Sequence, residues 1–220
     1  MIARHLITED ILPLKTSATG EQALSLMEEL KVSHLPIVNN EVFLGLISEQ
    51  DILDFNNVGE PLGNYNLSLK NPYVNEHQHL YDVLKLVSEL KLTLIPVLDD
   101  HERYIGCITL FDLVNYMAGS FSLENPGGII VLEMSQNDYN LTEIAQIVES
   151  NDAKILSLFL ASHSDSTRLE VAVKLNKTDL GGVLQTFDRY GYFVKVSFND
   201  DEDRDDIKEN YDSLMNYLNI

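Results

Sequence analysis

Cysteine is almost absent from the chain, since Cys107 is the one example among 220 residues. No intrachain disulfide can therefore form. Cys107 lies in an apolar run typical of a β-strand, so we interpret it as a small core hydrophobe rather than a reactive thiol. A lone cysteine also fits a reducing compartment.

Long apolar runs are also missing, because no stretch approaches the roughly 18 residues that a membrane-spanning helix needs. The first residues carry Glu9 and Asp10 where a signal peptide would have an unbroken apolar segment. We therefore expect a soluble, cytoplasmic protein with no membrane partner.

Positive charge is scarce, with 15 Lys and Arg against 35 Asp and Glu and a net charge of −20. Such an acidic chain repels nucleic acid and anionic membrane surfaces, so neither is expected as a partner. A highly charged phosphate ligand would need the few cations to be gathered locally. A hydrophobic content of 45% is that of a globular protein with one or two domains.

The chain contains the same pattern twice, at residues 21–53 and 81–114. The two copies match at an offset of 60 residues, which becomes 61 after one extra residue before Tyr104. Duplicated units pack about a pseudo-two-fold axis, and ligand sites tend to lie in the cleft between them. The identical pairs are Leu24/Leu84, Leu26/Leu86, Glu29/Glu89, Leu30/Leu90, Lys31/Lys91, Pro36/Pro96, Gly45/Gly106, Ile47/Ile108 and Asp51/Asp112.

Hydrophobic periodicity predicts helix, strand, strand, helix in each copy, with a short extra strand ahead. We assign residues 1–58 to the first repeat and 59–120 to the second, with the polar, Gly-containing segment 56–70 as the linker. Residues 127–200 show a different order, βαββαβ, typical of the ferredoxin-like split motif. The remaining residues 201–220 read as an acidic tail with a short helix. The fold class is therefore α/β (α+β).

Both copies read Gly, apolar, apolar, hydroxyl, x, x, Asp, at residues 45–51 and 106–112. The hydroxyl residues Ser48 and Thr109 stand at predicted helix starts, where free N–H groups attract an anion. The acids Asp51 and Asp112 follow one turn later and could accept hydrogen bonds from vicinal hydroxyls. The same spacing also makes a capping box that needs no ligand. Two copies in register favour a ribose-phosphate site.

The two repeats resemble a tandem pair of CBS domains, named after cystathionine beta-synthase. The motifs that carry the resemblance are SHLPIV at 33–38, TLIPVL at 93–98 and the two Gly-to-Asp segments. The resemblance implies a non-enzymatic regulatory module with two pseudo-symmetric clefts for an adenosine-type ligand: AMP, ADP, ATP or S-adenosylmethionine.

The family pattern implies a role for each matching residue. Asp51 and Asp112 would bind ribose hydroxyls, and Ser48 and Thr109 would contact phosphate. The base would be framed by Thr16, Leu35, Pro36, Tyr73, Ile95 and Pro96. Candidate cations for phosphates are few, namely Lys15, His34, Arg4 and Arg103. A ligand with little phosphate charge therefore fits as well as ATP, and one cleft could be empty.

Residues 127–198 resemble an ACT domain, a ferredoxin-like regulatory module that often binds amino acids. Asn140 stands where amino-acid-binding ACT domains place glycine, so a dimerising domain without a ligand is the favoured interpretation. Chains that combine a CBS pair with an ACT domain resemble bacterial proteins of the acetoin-utilisation type.

Enzyme motifs are absent, with no Walker loop, nucleophile elbow or His-Glu-x-x-His sequence. His77 and His79 are two residues apart, which makes it difficult for both to bind one metal ion. We therefore predict a homodimeric ligand sensor without a catalytic site, a metal site or a required cofactor. The alternative is a ligand-free dimeric scaffold that works by contact with another protein.

Overall fold

The computed structural model describes residues 1–8, 11–66, 72–162 and 167–199. The predicted acidic tail, residues 201–220, lies outside them. The chain divides into two compact units, Met1–Met117 and Ala118–Ile220, each with a hydrophobic core of its own. None of the helices in the described segments is long and apolar enough to cross a membrane.

The first unit contains both repeats, and each has the predicted element order. The first repeat forms α1 (Gly20–Leu30), β1 (His34–Asn39), β2 (Val42–Ser48) and α2 (Glu49–Leu53). The second repeat forms β3 (Val74–Asn75), α3 (Leu80–Leu90), β4 (Leu94–Leu98), β5 (Tyr104–Thr109) and α4 (Leu110–Ser120). Strand β3 pairs in parallel with β4, and Leu14 makes the equivalent parallel bridge to Ile37. This bridge and β3 are the short extra strands expected ahead of each copy.

Helices α1 and α3 begin and end at equivalent residues. Thr19 caps α1 with a reciprocal capping box to Gln22, and His79 caps α3 with one to Asp82. Both helices end in the left-handed conformation, at Lys31 (φ 56°) and Lys91 (φ 53°). The repeated sequence therefore specifies the same helix limits twice.

The two repeats exchange their leading segments. Residues 1–8 pair with the second repeat, where the N–H groups of Ala3 and Arg4 donate to Gln78 and Glu76, and Thr8 bridges to Cys107. The equivalent segment ahead of the second repeat folds back on the first. There Leu62 N–H donates to the Ala18 carbonyl, and Gly63 N–H donates to that of Thr16.

Gly106 permits the close approach of the leading segment to β5. A Cβ atom at Gly106, whose φ is 148°, would lie 2.4 Å from Cγ2 of Ile7. Any side chain here would push the segment away from the strand. The glycine at position 106 is thus explained by the close approach of the Ile7 side chain in the leading segment.

A single core joins the two repeats. Leu35 and Ile47 from the first repeat and Ile95 and Ile108 from the second are fully buried in one hydrophobic cluster. The strand hairpins also meet at equivalent positions, because Val42 bridges to Arg103. Both repeats therefore contribute strands to the same core.

The second unit forms a four-stranded antiparallel sheet with two helices. Its elements are β6 (Ile129–Ser135), α5 (Leu141–Glu149), β7 (Ile155–Ser162), β8 (Arg168–Leu175), α6 (Gly181–Arg189) and β9 (Phe193–Phe198). The strand order β7-β8-β6-β9 is that of a ferredoxin-like split βαβ fold, which confirms the predicted βαββαβ arrangement. Helices α5 and α6 bury Ile144, Ile147, Val148, Val183 and Phe187 in the core of this unit.

Cys107 is fully buried, as predicted, and burial raises the pKa of its thiol to about 11. A protonated, inaccessible thiol is a poor nucleophile. We expect a thiol-specific chromogenic reagent to label native protein far more slowly than protein unfolded in urea. Prompt stoichiometric labelling of the native chain would contradict this packing of β5.

Candidate functional site

Ser48 and Asp51 form a reciprocal hydrogen-bonded pair at the start of α2. The Ser48 hydroxyl donates to Oδ2 of Asp51 at 2.7 Å, and Asp51 N–H donates to the Ser48 hydroxyl at 3.1 Å. The N–H of Ser48 also donates to Oδ2 of Asp51 at 2.9 Å. This is the capping box that the spacing allowed.

Thr109 and Asp112 repeat the arrangement at the start of α4. The Thr109 hydroxyl donates to Oδ2 of Asp112, and Asp112 N–H donates to Thr109 Oγ1 at 3.0 Å. The N–H of Thr109 donates to the same Oδ2 at 3.3 Å. Among the residues that the structure describes, these contacts all use Oδ2, so Oδ1 of Asp112 has capacity to accept a ligand hydroxyl.

The Thr109/Asp112 pair opens into a cavity of about 730 Å³, which we call the α4 cleft. Both repeats build it, since Glu29, Lys31 and Val32 come from the end of α1 and its far side comes from the second repeat. Its lining residues are Thr8, Ile11, Glu29, Leu30, Lys31, Val32, Thr93, Thr109, Leu110, Phe111, Asp112 and Val114. The walls are mostly apolar, and the ring of Phe111 is 71% exposed and available for stacking.

The equivalent position at Ser48 is much smaller. The cavity there measures about 220 Å³ and is lined by Ser33, His34, Ser48, Glu49, Gln50 and Leu53. Ligand pockets usually measure about 300–1,000 Å³, so the α4 cleft lies within that range and this one does not. The duplicated motif therefore leads to two unequal sites.

The residues expected to frame the base fall into two groups. Leu35, Pro36, Ile95 and Pro96 are buried within β1 and β4, so their side chains belong to the core. Thr16 Oγ1 accepts a hydrogen bond of 2.9 Å from the Asn39 side chain, while Tyr73 is 41% exposed and packs edge-on against Phe43. None of these six residues lines the α4 cleft.

Sequence reasoning missed Lys31 and Phe111 as cleft residues. Lys31 was recognised as a repeated position, but its place at the cleft follows from the way α1 of one repeat approaches α4 of the other. Phe111 occupies an unspecified position of the hydroxyl-x-x-Asp motif. Its location next to a motif acid was a usable signal.

The candidate cations Arg4 and Arg103 line a separate cavity of about 740 Å³, which we call the N-terminal cavity. Both are paired with acids, since Arg4 contacts Glu76 and Arg103 Nη2 lies 2.6 Å from Asp99. The backbone N–H and guanidinium of Arg103, with the N–H of His101, lower the pKa of Asp99 to about 2. Both arginines therefore already form ion pairs with carboxylates of this protein.

His34 joins the two repeats at the pseudo-two-fold axis. Its Nδ1 accepts the N–H of Thr93 at 3.3 Å and lies 3.0 Å from the Thr93 hydroxyl, which in turn accepts the N–H of Ser33 at 3.0 Å. Burial lowers the pKa of His34, against an opposing effect of Asp51. Since Nδ1 receives hydrogen bonds, the imidazole is neutral in this junction.

The CBS domain family model matches residues 3–57 and 65–119, which together make up half of the chain. With two intertwined repeats, a shared core and a hydroxyl-x-x-Asp motif in each copy, the protein belongs to the CBS domain family. It contains a tandem CBS pair, whose members are regulatory modules.

Curated relatives match only with part of their length. An uncharacterised protein of Methanocaldococcus jannaschii is 23% identical over 119 residues, which cover 51% of this chain and 38% of that protein. The inosine-5'-monophosphate dehydrogenase of the same organism is 21% identical over 182 residues, covering 82% of this chain and 36% of the enzyme. The chain thus spans little more than a third of these relatives.

Solved structures with similar folds include a CBS domain pair/ACT domain protein from Thermotoga maritima. Its sequence is 23% identical, and the structural match, with a TM-score of 0.49, covers 54% of this chain and 98% of the Thermotoga maritima chain. CBSX2, solved in complex with AMP, is 25% identical. The structural match has a TM-score of 0.47 and covers 54% of this chain and 96% of the CBSX2 chain.

The lowered pKa of His34 predicts a pH-dependent stability. The unfolded state, with a His pKa near 6.5, takes up a proton more readily than the folded state. The free energy of unfolding should therefore fall as the pH drops below about 6.5. His34→Asn keeps an acceptor near Nδ1 but does not titrate, so urea unfolding of this variant should lose less stability over that range. Equal pH slopes in both proteins would contradict the role of His34.

Proposed function

We propose that this CBS pair is a regulatory, non-catalytic module that binds an adenosine-type ligand in the α4 cleft. The observation that carries the proposal is the composition of that cleft. Apolar walls and an exposed Phe111 ring suit a base, and the Thr109/Asp112 pair at a helix start suits ribose hydroxyls. Both repeats line the cleft, so a ligand there would bias how the repeats pack.

The charges around the cleft favour a ligand with little negative charge. Its lining contains the cation Lys31 and the acids Glu29 and Asp112. The arginines of the N-terminal cavity are already paired with carboxylates. A triphosphate would meet one cation and two acids, whereas the sulfonium and ammonium groups of S-adenosylmethionine would meet acids. We therefore place S-adenosylmethionine and adenosine ahead of ATP among the expected ligands.

We further propose that one ligand binds per chain. The Ser48 cavity, at about 220 Å³, lies below the usual size range of ligand pockets, and its lining residues include Glu49 but no lysine or arginine. The duplication would then have kept Ser48 and Asp51 as a helix cap while Thr109 and Asp112 serve both as a cap and as a binding site.

Helix α4 connects the α4 cleft to the second unit along the chain. Leu110, Phe111 and Asp112 line the cleft, and their helix α4 continues to Ser120, past the boundary of the first unit at Met117. We propose that a ligand changes the position or stability of α4 and that the second unit responds. Such coupling requires different ligand affinities in two states.

We propose that the second unit is an ACT-like domain that dimerises rather than binds an amino acid. The side chain of Asn140 caps α5, because its Oδ1 accepts a hydrogen bond of 3.3 Å from the N–H of Glu143. Helix capping therefore explains Asn140 without a bound amino acid. Phe159, Phe193, Val196 and Phe198 of its sheet are exposed apolar residues that a second copy would cover. A homodimer is therefore the expected assembly.

The first test compares Asp112→Asn with Asp51→Asn by isothermal titration with S-adenosylmethionine, adenosine and AMP. Both substitutions weaken an equivalent helix cap, so Asp51→Asn is the matched control. Losing a hydrogen bond to a charged group costs about 1.5–3 kcal/mol, or roughly a tenfold to hundredfold loss of affinity. We expect that loss in Asp112→Asn alone, with one ligand per wild-type chain. Equal effects of the two changes would contradict the α4 cleft.

The second test measures how affinity depends on phosphate number. Because the cleft lining contains one lysine, Lys31, and two acids, we expect adenosine, AMP and ATP to bind in that order or equally, with little salt dependence. Lys31→Ala should change ATP binding more than adenosine binding. Affinity that rises steeply from adenosine to ATP would contradict this description of the cleft.

The alternative function is a ligand-free scaffold. The small cavity at Ser48, which has Glu49 but no lysine or arginine in its lining, favours it for that half of the pair. Absence of heat and of thermal stabilisation with every adenosine-type ligand, in a chain that still dimerises, would support the scaffold.

A further inference from the structure

We propose that Glu76, His77 and Asp100 form a binding site for a divalent transition-metal ion of the zinc class, independent of the α4 cleft. The three residues come from two loops of the second repeat. Glu76 and His77 follow β3, and Asp100 lies in the turn between β4 and β5. Each offers one ligand atom, and the three atoms lie within 4.8 Å of one another.

The geometry is close to what a metal ion requires. His77 Nε2 lies 3.3 Å from Oδ2 of Asp100 and 3.9 Å from Oε1 of Glu76. Zinc bonds of about 2.0–2.2 Å to nitrogen and oxygen place tetrahedral ligand atoms roughly 3.3–3.6 Å apart. Two side chains on exposed loops can make the small remaining adjustment. One imidazole with two carboxylates is a donor set that suits zinc and its neighbours.

The second oxygen of each carboxylate already has a partner. Oδ1 of Asp100 accepts the side-chain amide of Asn75 at 3.2 Å, and Oε2 of Glu76 contacts Arg4. Asn75 also fixes the neighbouring loop, because its Oδ1 accepts the N–H of His77 at 2.9 Å. Such outer contacts orient metal-binding carboxylates. The remaining oxygens are therefore presented to His77.

Glu76 is the most restrained of the three proposed ligands. The residue is only 6% exposed, its Oε2 is paired with Arg4, and its Oε1 lies 3.9 Å from Nε2 of His77. A carboxylate that is held in place in this way is pre-oriented to bind a cation. Glu76 and Asp100 also line the N-terminal cavity, which leaves room for water or for His101 as a further ligand. The net charge of −20 raises the local cation concentration.

The sequence offered a different histidine pair. His79 does not join His77, because its Nδ1 accepts the N–H of Tyr81 at 3.2 Å as the cap of α3. The residues that do join His77 are its sequence neighbour Glu76 and Asp100, which lies 23 positions further along the chain. Pairing of β3 with β4 brings them together, since the N–H of Glu76 donates to the Leu98 carbonyl at 2.9 Å.

The test is a titration of chelator-treated protein with zinc chloride, followed by isothermal calorimetry and by metal analysis after dialysis. The variants are His77→Ala and Asp100→Asn, whose side chains are both more than half exposed and whose folding should be unaffected. His5→Ala is the matched control, because His5 is also exposed and lies outside the cluster. Replacing zinc by cobalt(II) adds a visible absorption signal that reports its coordination.

We expect one zinc ion per wild-type chain, at least a tenfold loss of affinity in both cluster variants, and unchanged binding in His5→Ala. Asp112→Asn should bind zinc like the wild type, so the result is independent of the proposed nucleoside function. Absence of stoichiometric zinc binding would overturn the proposal. So would wild-type affinity in His77→Ala, or an equal loss in His5→Ala, provided that circular dichroism shows folded proteins.

Discussion

The structure of the first unit depends on the burial of two incomplete repeats in one core. Strands β1 and β2 of the first repeat share one hydrophobic core with β4 and β5 of the second, and residues such as Leu35 and Ile95 are fully excluded from water there. Burying one such side chain contributes about 1.5–3 kcal/mol. The exchange of leading segments ties the copies further, because each supplies backbone partners to the other. A cleft between the copies is therefore part of the stable structure.

This shared core also decides where a ligand can act. The α4 cleft lies between the end of α1 from one repeat and the start of α4 from the other, so its shape depends on how the two repeats are positioned. The end of α1 is itself defined by the left-handed Lys31, and the start of α4 by the capping pair Thr109 and Asp112. Both walls are thus helix ends, where hydrogen-bonding groups lie at the surface. A ligand that fills such a place can couple two otherwise rigid elements.

Sequence patterns predicted the repeats and nearly every element, because helix and strand periods, capping residues and the recurring glycine are local signals. Thr19 and Asn140 cap α1 and α5 as their types suggest, and the βαββαβ order follows from periodicity alone. Thr16 and Tyr73 illustrate the limit. Both were expected to frame the base, but neither lines the α4 cleft, and the 60-residue offset places Thr16 against Glu76 and Pro13 against Tyr73. The exchange of leading segments and the position of Lys31 depend on pairing between distant residues, for which the chain contains no local signal.

Under the proposed function, the duplicated motif would have two tasks, helix capping in both copies and ligand binding in one. A hydroxyl-x-x-Asp segment stabilises a helix start whether or not a ligand is present, so neither copy can lose it without cost to folding. Specialisation must then come from the surroundings. His34 and Leu94 occupy equivalent positions, yet His34 takes part in the junction with Thr93 while Leu94 is buried apolar core. Phe111 lines the α4 cleft, whereas the equivalent residue of the first copy, Gln50, lines a much smaller cavity. The motif therefore preserves the fold in both halves, and under the proposed function the residues around it would determine which half binds.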